Sequence, residues 1–243
     1  MRSVRRKMRR QIQLWWSPAV GGEPGGIPAW LPEHEQRHCR DIAHPARRRE
    51  AMTARVLVRS VLSRQVPLGP GAWAISRDAL GKPALVPPHP LRFSVAHAEG
   101  LVVCAVAWNR EVGVDVEPLS RGASLLPLAA RVLSPAERHS LDAPGDAPVL
   151  QDRLLSTWVL KEALLKGLGV GLTVSPEEVS LDLGPEGPSI THAPQGGDGW
   201  QLALLDLEGY RIGLAAGPDS EPLELRVRRA DGSHLIESAA RSQ

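Results

Sequence analysis

Two short stretches hold most of the chemistry available to this chain: residues 112–117 read VGVDVE and residues 158–166 read WVLKEALLK. Side chains two apart on a strand share a face. Asp115 and Glu117 therefore project together, while Val112, Val114 and Val116 turn the other way into a core. Positions four apart on a helix fall nearly in line, so Trp158, Glu162 and Lys166 form one stripe. Taken singly, each stretch has an ordinary explanation: a solvated D-x-E edge, and a surface ion pair worth about 0.3–0.5 kcal/mol. If strand and helix lie side by side, the same residues become a cluster of three carboxylates. Carboxylates about 4 Å apart repel by ~4 kcal/mol per pair at an effective dielectric of about 20. A hard divalent cation removes that repulsion. Mg²⁺ takes a few carboxylates together with substrate phosphates, and Lys166 would offer the same phosphates a point charge.

Two further groups lie upstream. His97 ends the segment FSVAH (93–97), which contains the only Phe, and Lys82 sits in GKPAL (81–85). A loop histidine and a solvated turn lysine are the plain readings; a pair of phosphate donors is the sharper one.

The elements that must position these residues follow from periodicity and from proline and glycine. Residues 11–16 read as a strand, 33–42 as a helix, and 47–65 as a second helix with Met52, Val56, Arg59 and Leu62 at helical spacing, ended before Pro67. Strand-type runs recur at 72–76, 84–86, 91–95, 101–107 and 112–116. Ser134-Pro135-Ala136-Glu137 is a capping-box start for a helix over 135–142. The clearest helix spans 149–167 and is closed by Gly167 and Gly169. Strand-like runs at 178–183, 200–207, 210–215 and 223–228 follow. Helices and strands are thus mixed with antiparallel-type spacings, which predicts an α+β fold. A boundary at Pro118 to Gly122 divides the chain into parts of similar content, 11–118 and 119–230, between a basic tail (1–10) and a polar tail (231–243).

Composition narrows the function classes. The chain has 243 residues, 42% apolar and 23% charged, which excludes wholesale disorder, and no apolar run long enough to cross a bilayer. Cys39 and Cys104, 65 positions apart, make neither a disulfide framework nor a zinc spacing and fit reduced thiols in a cytoplasmic protein. The formal net charge of +2 is uneven: residues 1–10 carry six basic side chains and no acid, leaving 23 basic against 27 acidic in residues 11–243, a net of −4. The run after the basic segment is too short and too broken for a secretory signal. A solvated tail, or a true start at Met8, is the reading preferred over a polyanion-binding arm.

Taken together, the motifs resemble those of the Sfp-type 4′-phosphopantetheinyl transferases. GKP (81–83), FSVAH (93–97), VGVDVE (112–117) and WVLKEALLK (158–166) match the family pattern in order and spacing, and KGLGVGL (166–172) and RVLVRSVLSRQ (55–65) are similar to it as well. The resemblance runs from roughly Leu14 to Ala216. It implies two similar α/β subdomains about a pseudo-twofold axis in one chain, acting as a monomer. It implies Asp115, Glu117 and Glu162 as Mg²⁺ ligands, Lys166 on the coenzyme A diphosphate, and Lys82 and His97 on coenzyme A phosphates. The implied reaction moves 4′-phosphopantetheine from coenzyme A to a serine of an apo carrier protein (acyl, polyketide or peptidyl) and releases adenosine 3′,5′-bisphosphate. Glu162, directly or through a metal-bound water, is the candidate base, with Lys166 as the second catalytic group. Neither nucleic acid nor membrane is an expected partner. The chain departs from the pattern in four places, one of them Val159 in place of a small residue after Trp158. Ala96 replaces a serine before the histidine. Glu50 falls where the family has an arginine for the 3′-phosphate, so Arg49 or Arg48 must substitute; Arg37 and Arg40 stand in for a basic pair of the first helix. Competing readings are a Mg²⁺-dependent phosphatase or nucleotidyl transferase using the same acids, and a nucleic-acid-binding module using the basic tail.

Overall fold

Proline and glycine set most of the element boundaries in the computed structural model, which describes residues 11–19, 26–141, 146–194 and 196–230. In chain order, the first elements are β1 (Ile12–Pro18), α1 (Glu33–Asp41), α2 (Pro45–Gln65), β2 (Ile75–Arg77) and β3 (Pro83–Leu85). They are followed by β4 (Leu91–Ala98), β5 (Leu101–Trp108) and β6 (Val112–Pro118). Then come α3 (Pro135–Leu141), α4 (Ala147–Leu168), β7 (Ser180–Gly184) and β8 (Gly187–His192), and last β9 (Gln201–Leu207), β10 (Tyr210–Ala216) and β11 (Leu225–Arg229). Short helical turns fill the stretch between β6 and α3. The fold is α+β. The basic segment 1–10 and the polar segment 231–243 lie outside the described residues.

The chain divides into two compact units. Of the described residues, the first takes those up to Ser76, Pro83–Asn109 and those from Leu225 on; the second takes those within Arg77–Lys82 and Arg110–Glu224. Strand β6, on the N-terminal side of the expected division at 118, groups with the second unit because its hydrogen-bonding partner is β10.

In the first unit, a four-stranded sheet runs in the order β11-β1-β5-β4, with β1 parallel to β11 and antiparallel to β5. Helix α2 starts with Pro45 at its first turn and stops at Val66, which is extended because Pro67 follows. Its Val56, Leu57, Val61 and Leu62 share one core with Trp15, Phe93, Val102, Cys104 and Val106 of the sheet. Arg59, in the middle of that apolar face, is 1% exposed and is held bidentately by Glu35 of α1. Its remaining donor arm reaches the carbonyls of Pro70 and Trp73. These bonds explain why the strand expected at 72–76 starts late. Residues 70–72 instead curl into a 3₁₀ turn around the guanidinium, and the strand begins at Ile75.

In the second unit, β6, β10 and β9 form an antiparallel sheet in that order, and β7 pairs with β8 as a separate hairpin. The sequence reading placed no strand at 187–192, where Gly187 and Pro188 conceal the pattern. The predicted capping box forms: Glu137 N donates to Ser134 Oγ at 3.3 Å and Ser134 N to Glu137 Oε2 at 2.7 Å. Helix α4 ends in a left-handed Gly169 (φ 72°) whose N–H returns to the Leu165 carbonyl. Gly113 of β6 and Gly213 of β10 let this helix lie directly on the sheet. A Cβ at Gly113 would stand 1.9 Å from the Ala163 carbonyl oxygen, and one at Gly213 would stand 2.3 Å from that of Val159.

Candidate functional site

The helix–strand contact decides where the acids go. Gly113, Asp115 and Glu117 alternate onto the same face of β6, so the face that meets α4 also carries both carboxylates, while Val112, Val114 and Val116 are buried on the other. Two strand residues advance about 6.8 Å and four helix residues about 6 Å, so the two stripes stay nearly in step as they run antiparallel. The Trp158 indole donates to Glu117 Oε1 at 3.3 Å, and Lys166 Nζ donates to Asp115 Oδ1 at 2.5 Å. The strand and helix stripes are therefore adjacent, the condition on which the acidic-cluster reading depended.

Asp115 and Glu117 are 6% and 8% exposed. Asp115 Oδ2 is buried without a hydrogen-bond partner among the described residues. Glu117 is pushed above the ordinary glutamate range by burial first and by the Asp115 charge second, against opposing pulls from Arg121, Trp158 and Lys166. Glu162 is raised for the same two leading causes, opposed by Lys166 and Arg121. Arg121, one helical turn's spacing beyond Glu117, reaches its Oε2 at 3.1 Å; sequence reasoning did not single it out. Among the described residues, no three His, Cys, Asp or Glu side chains are grouped as a metal site. What does fit a hard cation is the donor set itself: carboxylate oxygens only, one of them buried and unpartnered, with two acids that resist ionising beside a third.

These shifts have a sign that can be tested. A carboxyl with a raised folded pKa holds its proton more tightly in the native chain than in the unfolded one. The two glutamates therefore penalise the fold at neutral pH, and the penalty fades as pH falls through the raised values toward about 4.3. Without divalent metal, Glu162→Gln should raise Tm at about pH 8 by roughly 2–4 °C, the shift that ~1 kcal/mol produces in a chain of this size. The difference from wild type should shrink toward about pH 5. A variant that is less stable than wild type at pH 8 contradicts this charge balance.

The other expected site residues are placed as follows. Lys82, at the tip of the β2–β3 hairpin and within the second unit, donates from Nζ to Glu111 Oε2 at 2.5 Å and to the Gly167 carbonyl at 2.6 Å. Its ammonium thus closes the C-terminal turn of α4, one residue beyond Lys166. His97 and Arg49 belong to the first unit. The side chain of His97 is 48% exposed, with Nδ1 3.3 Å from Glu50 Oε2, and the other Glu50 oxygen accepts the Gly100 N–H at 2.9 Å. Glu50, at the position where an arginine was expected, is thereby engaged with the histidine. Arg49 Nε is buried without a partner among the described residues. Ala96 and Ser94 share the face of β4 opposite to His97, so neither stands beside the imidazole. Arg37 and Arg40 bond within their own helix, to Glu33 and Gln36.

A strand and a helix here bring buried carboxylates beside a lysine, and the stretch that holds them is the one that known proteins match. The model of the 4′-phosphopantetheinyl transferase superfamily matches residues 111–215, a stretch that holds Asp115, Glu117, Glu162 and Lys166. The chain is 29% identical over 201 residues to the 4′-phosphopantetheinyl transferase HetI of Nostoc sp., covering 80% of this chain and 82% of that protein. It is 28% identical over 196 residues to the 4′-phosphopantetheinyl transferase Sfp of Bacillus subtilis, covering 79% and 84%. Among solved structures, the holo-[acyl-carrier-protein] synthase of Neisseria meningitidis is 20% identical with a TM-score of 0.38, over 45% of this chain and 98% of that one. Residues 111–215 thus match the 4′-phosphopantetheinyl transferase superfamily, and the similarity to HetI and Sfp extends over most of the chain.

Proposed function

We propose that the chain transfers 4′-phosphopantetheine from coenzyme A to a serine of an apo carrier protein and releases adenosine 3′,5′-bisphosphate. The carrying observation is the juxtaposition of Asp115 and Glu117 with the Trp158–Glu162–Lys166 stripe. Asp115, Glu117 and Glu162 would hold Mg²⁺. When bound, the metal would neutralise charge on the coenzyme A diphosphate and help its departing half to leave. Lys166 presents an ammonium from the same stripe and would release Asp115 to meet a phosphate oxygen. The serine Oγ attacks the phosphorus that bears the pantetheine arm, the diphosphate P–O bond breaks, and the electron pair leaves with the nucleotide phosphate. The serine proton needs an acceptor. Glu162, whose burial raises its proton affinity toward the working pH, is our candidate base. Lys82 of the second unit, and His97 and Arg49 of the first, are each proposed as a contact for a coenzyme A phosphate. A phosphate would draw Lys82 away from Glu111, and one at Arg49 would add a charge beside an Nε that has no partner among the described residues.

The two units are read as the two α/β subdomains of a monomer. No helix among the described residues is long and apolar enough to cross a membrane, and both cysteines are free and buried. Those features support a cytoplasmic enzyme whose partners are coenzyme A and apo acyl, polyketide or peptidyl carrier proteins.

Chromatography of the nucleotide product tests the reaction. Adenosine 3′,5′-bisphosphate should accumulate only when coenzyme A, Mg²⁺ and a carrier with its serine intact are all present. Release from coenzyme A alone, or with a serine-to-alanine carrier, would identify a hydrolase in place of a transferase.

A further inference from the structure

We propose that Lys161 and Glu137 are positioning residues that set the rotation of α4 about its axis, and with it the presentation of Glu162 and Lys166. The proposal rests on the reading of the acid-and-lysine stripe given above. Lys161 is 0% exposed. Its Nζ donates to Glu137 Oε2 at 2.6 Å and to the Val132 carbonyl at 2.7 Å. Glu137 in turn accepts the Ser134 N–H on Oε2 at 2.7 Å and the Leu181 N–H on Oε1 at 2.8 Å. One carboxylate therefore ties α4 to the first turn of α3 and to β7, and the ammonium adds the carbonyl that ends the turns before α3.

Arg211 of β10 bonds Asp152 and Ser156 in the first half of α4, and the Glu117 and Asp115 contacts belong to the stripe itself. On the side that meets α3 and β7, Lys161 is the polar anchor. Leu154, Leu155, Val159, Leu160, Ala163 and Leu164 are all fully buried, and apolar burial has no preferred direction. Gly113 and Gly213 fix how closely the helix approaches the sheet and carry no side chain that would resist a roll. A roll of about 20° would carry a side-chain tip 5–6 Å from the axis through about 2 Å. Misplacement by about 1 Å can cost a reaction ~10²-fold. Lys161 directly precedes Glu162 and points about 100° away from it, so its anchor fixes the direction of the acid without touching the reacting groups. A buried ion pair is often replaceable by apolar side chains without loss of stability. Its presence beside Glu162 therefore points to specification of geometry.

The test compares wild type with Lys161→Met/Glu137→Gln, which removes both charges together, and with Glu137→Gln alone, which keeps the shape. Two readouts are taken: steady-state transfer per folded molecule, and the rise in Tm on adding Mg²⁺ without coenzyme A. For the double variant, kcat should fall by about 10–100-fold with KM for coenzyme A changed by less than about threefold, and the Mg²⁺-induced rise in Tm should shrink. Glu137→Gln should move both readouts in the same direction by a smaller factor, and it decides the matter if the double variant does not fold. Wild-type kcat and an undiminished Mg²⁺ response in a folded variant overturn the proposal. Absence of transfer by wild type itself would instead remove the proposed function, while the Mg²⁺ response would still test the anchor.

Discussion

Asp115→Ala should lower phosphopantetheine transfer by about 10²–10³-fold, the loss expected when a group that organises charge at the reacting centre is removed. Asp115 acts on every part of the cluster. Its Oδ2 is buried with no partner among the described residues, its Oδ1 holds Lys166, and its charge is, after burial, the second cause of the raised proton affinities of Glu117 and Glu162. Removing it deletes a proposed metal donor and leaves Lys166 without its anchor. The fold should survive, because the substitution also removes a buried charge that repels two neighbours. Lys166, with its side chain 36% exposed, can turn to water. Activity and stability should therefore part company: transfer is lost while Tm stays within a few degrees of wild type. Glu162→Ala should behave in the same way. Full activity in either variant would sink the assignment of these acids.

Gly113→Ala is the counterpart on the structural side. A methyl group there would stand 1.9 Å from the Ala163 carbonyl oxygen and 2.5 Å from the Gly167 nitrogen, both backbone atoms that no rotamer change can move aside. Helix α4 would have to lift from β6, which separates Lys166 and Trp158 from their carboxylate partners. A loss of about 3 kcal/mol is expected, at the upper end for overpacking, corresponding to a fall in Tm of about 6–12 °C. Transfer should fall even at temperatures where the variant is folded. Thermal denaturation beside an activity assay checks both; a variant with the Tm and kcat of wild type would mean that the helix does not seat on the strand at this point.

The chemistry was easier to read from the sequence than its supports. Alternation in VGVDVE and the four-residue spacing in WVLKEALLK follow from strand and helix periods alone, so the two stripes could be drawn without coordinates. Their adjacency could not. It depends on Gly113 and Gly213, and a glycine in a strand pattern reads equally well as a weak point or a bulge. Lys161 was hidden for a similar reason: within an amphipathic-looking helix a lysine reads as a solvated position, and its burial follows only once Glu137 is seen to face it. Glu137 itself was legible as a helix cap, which it is, but not as the partner of a residue 24 positions later. Lys82 reads as a turn lysine free to meet a ligand, whereas its ammonium is engaged by Glu111 and the end of α4. The displaced strand at 72–76 has the same origin, since Arg59 draws in backbone carbonyls that no local pattern announces.

The account stands or falls on one covalent product. Intact-mass spectrometry of an apo carrier protein incubated with the enzyme, coenzyme A and Mg²⁺ should show a gain of one phosphopantetheine group on the carrier serine. The gain should vanish when coenzyme A or Mg²⁺ is withheld and when Asp115 is replaced by alanine. A carrier whose mass does not change while coenzyme A is consumed, or a gain that persists in Asp115→Ala, would contradict it.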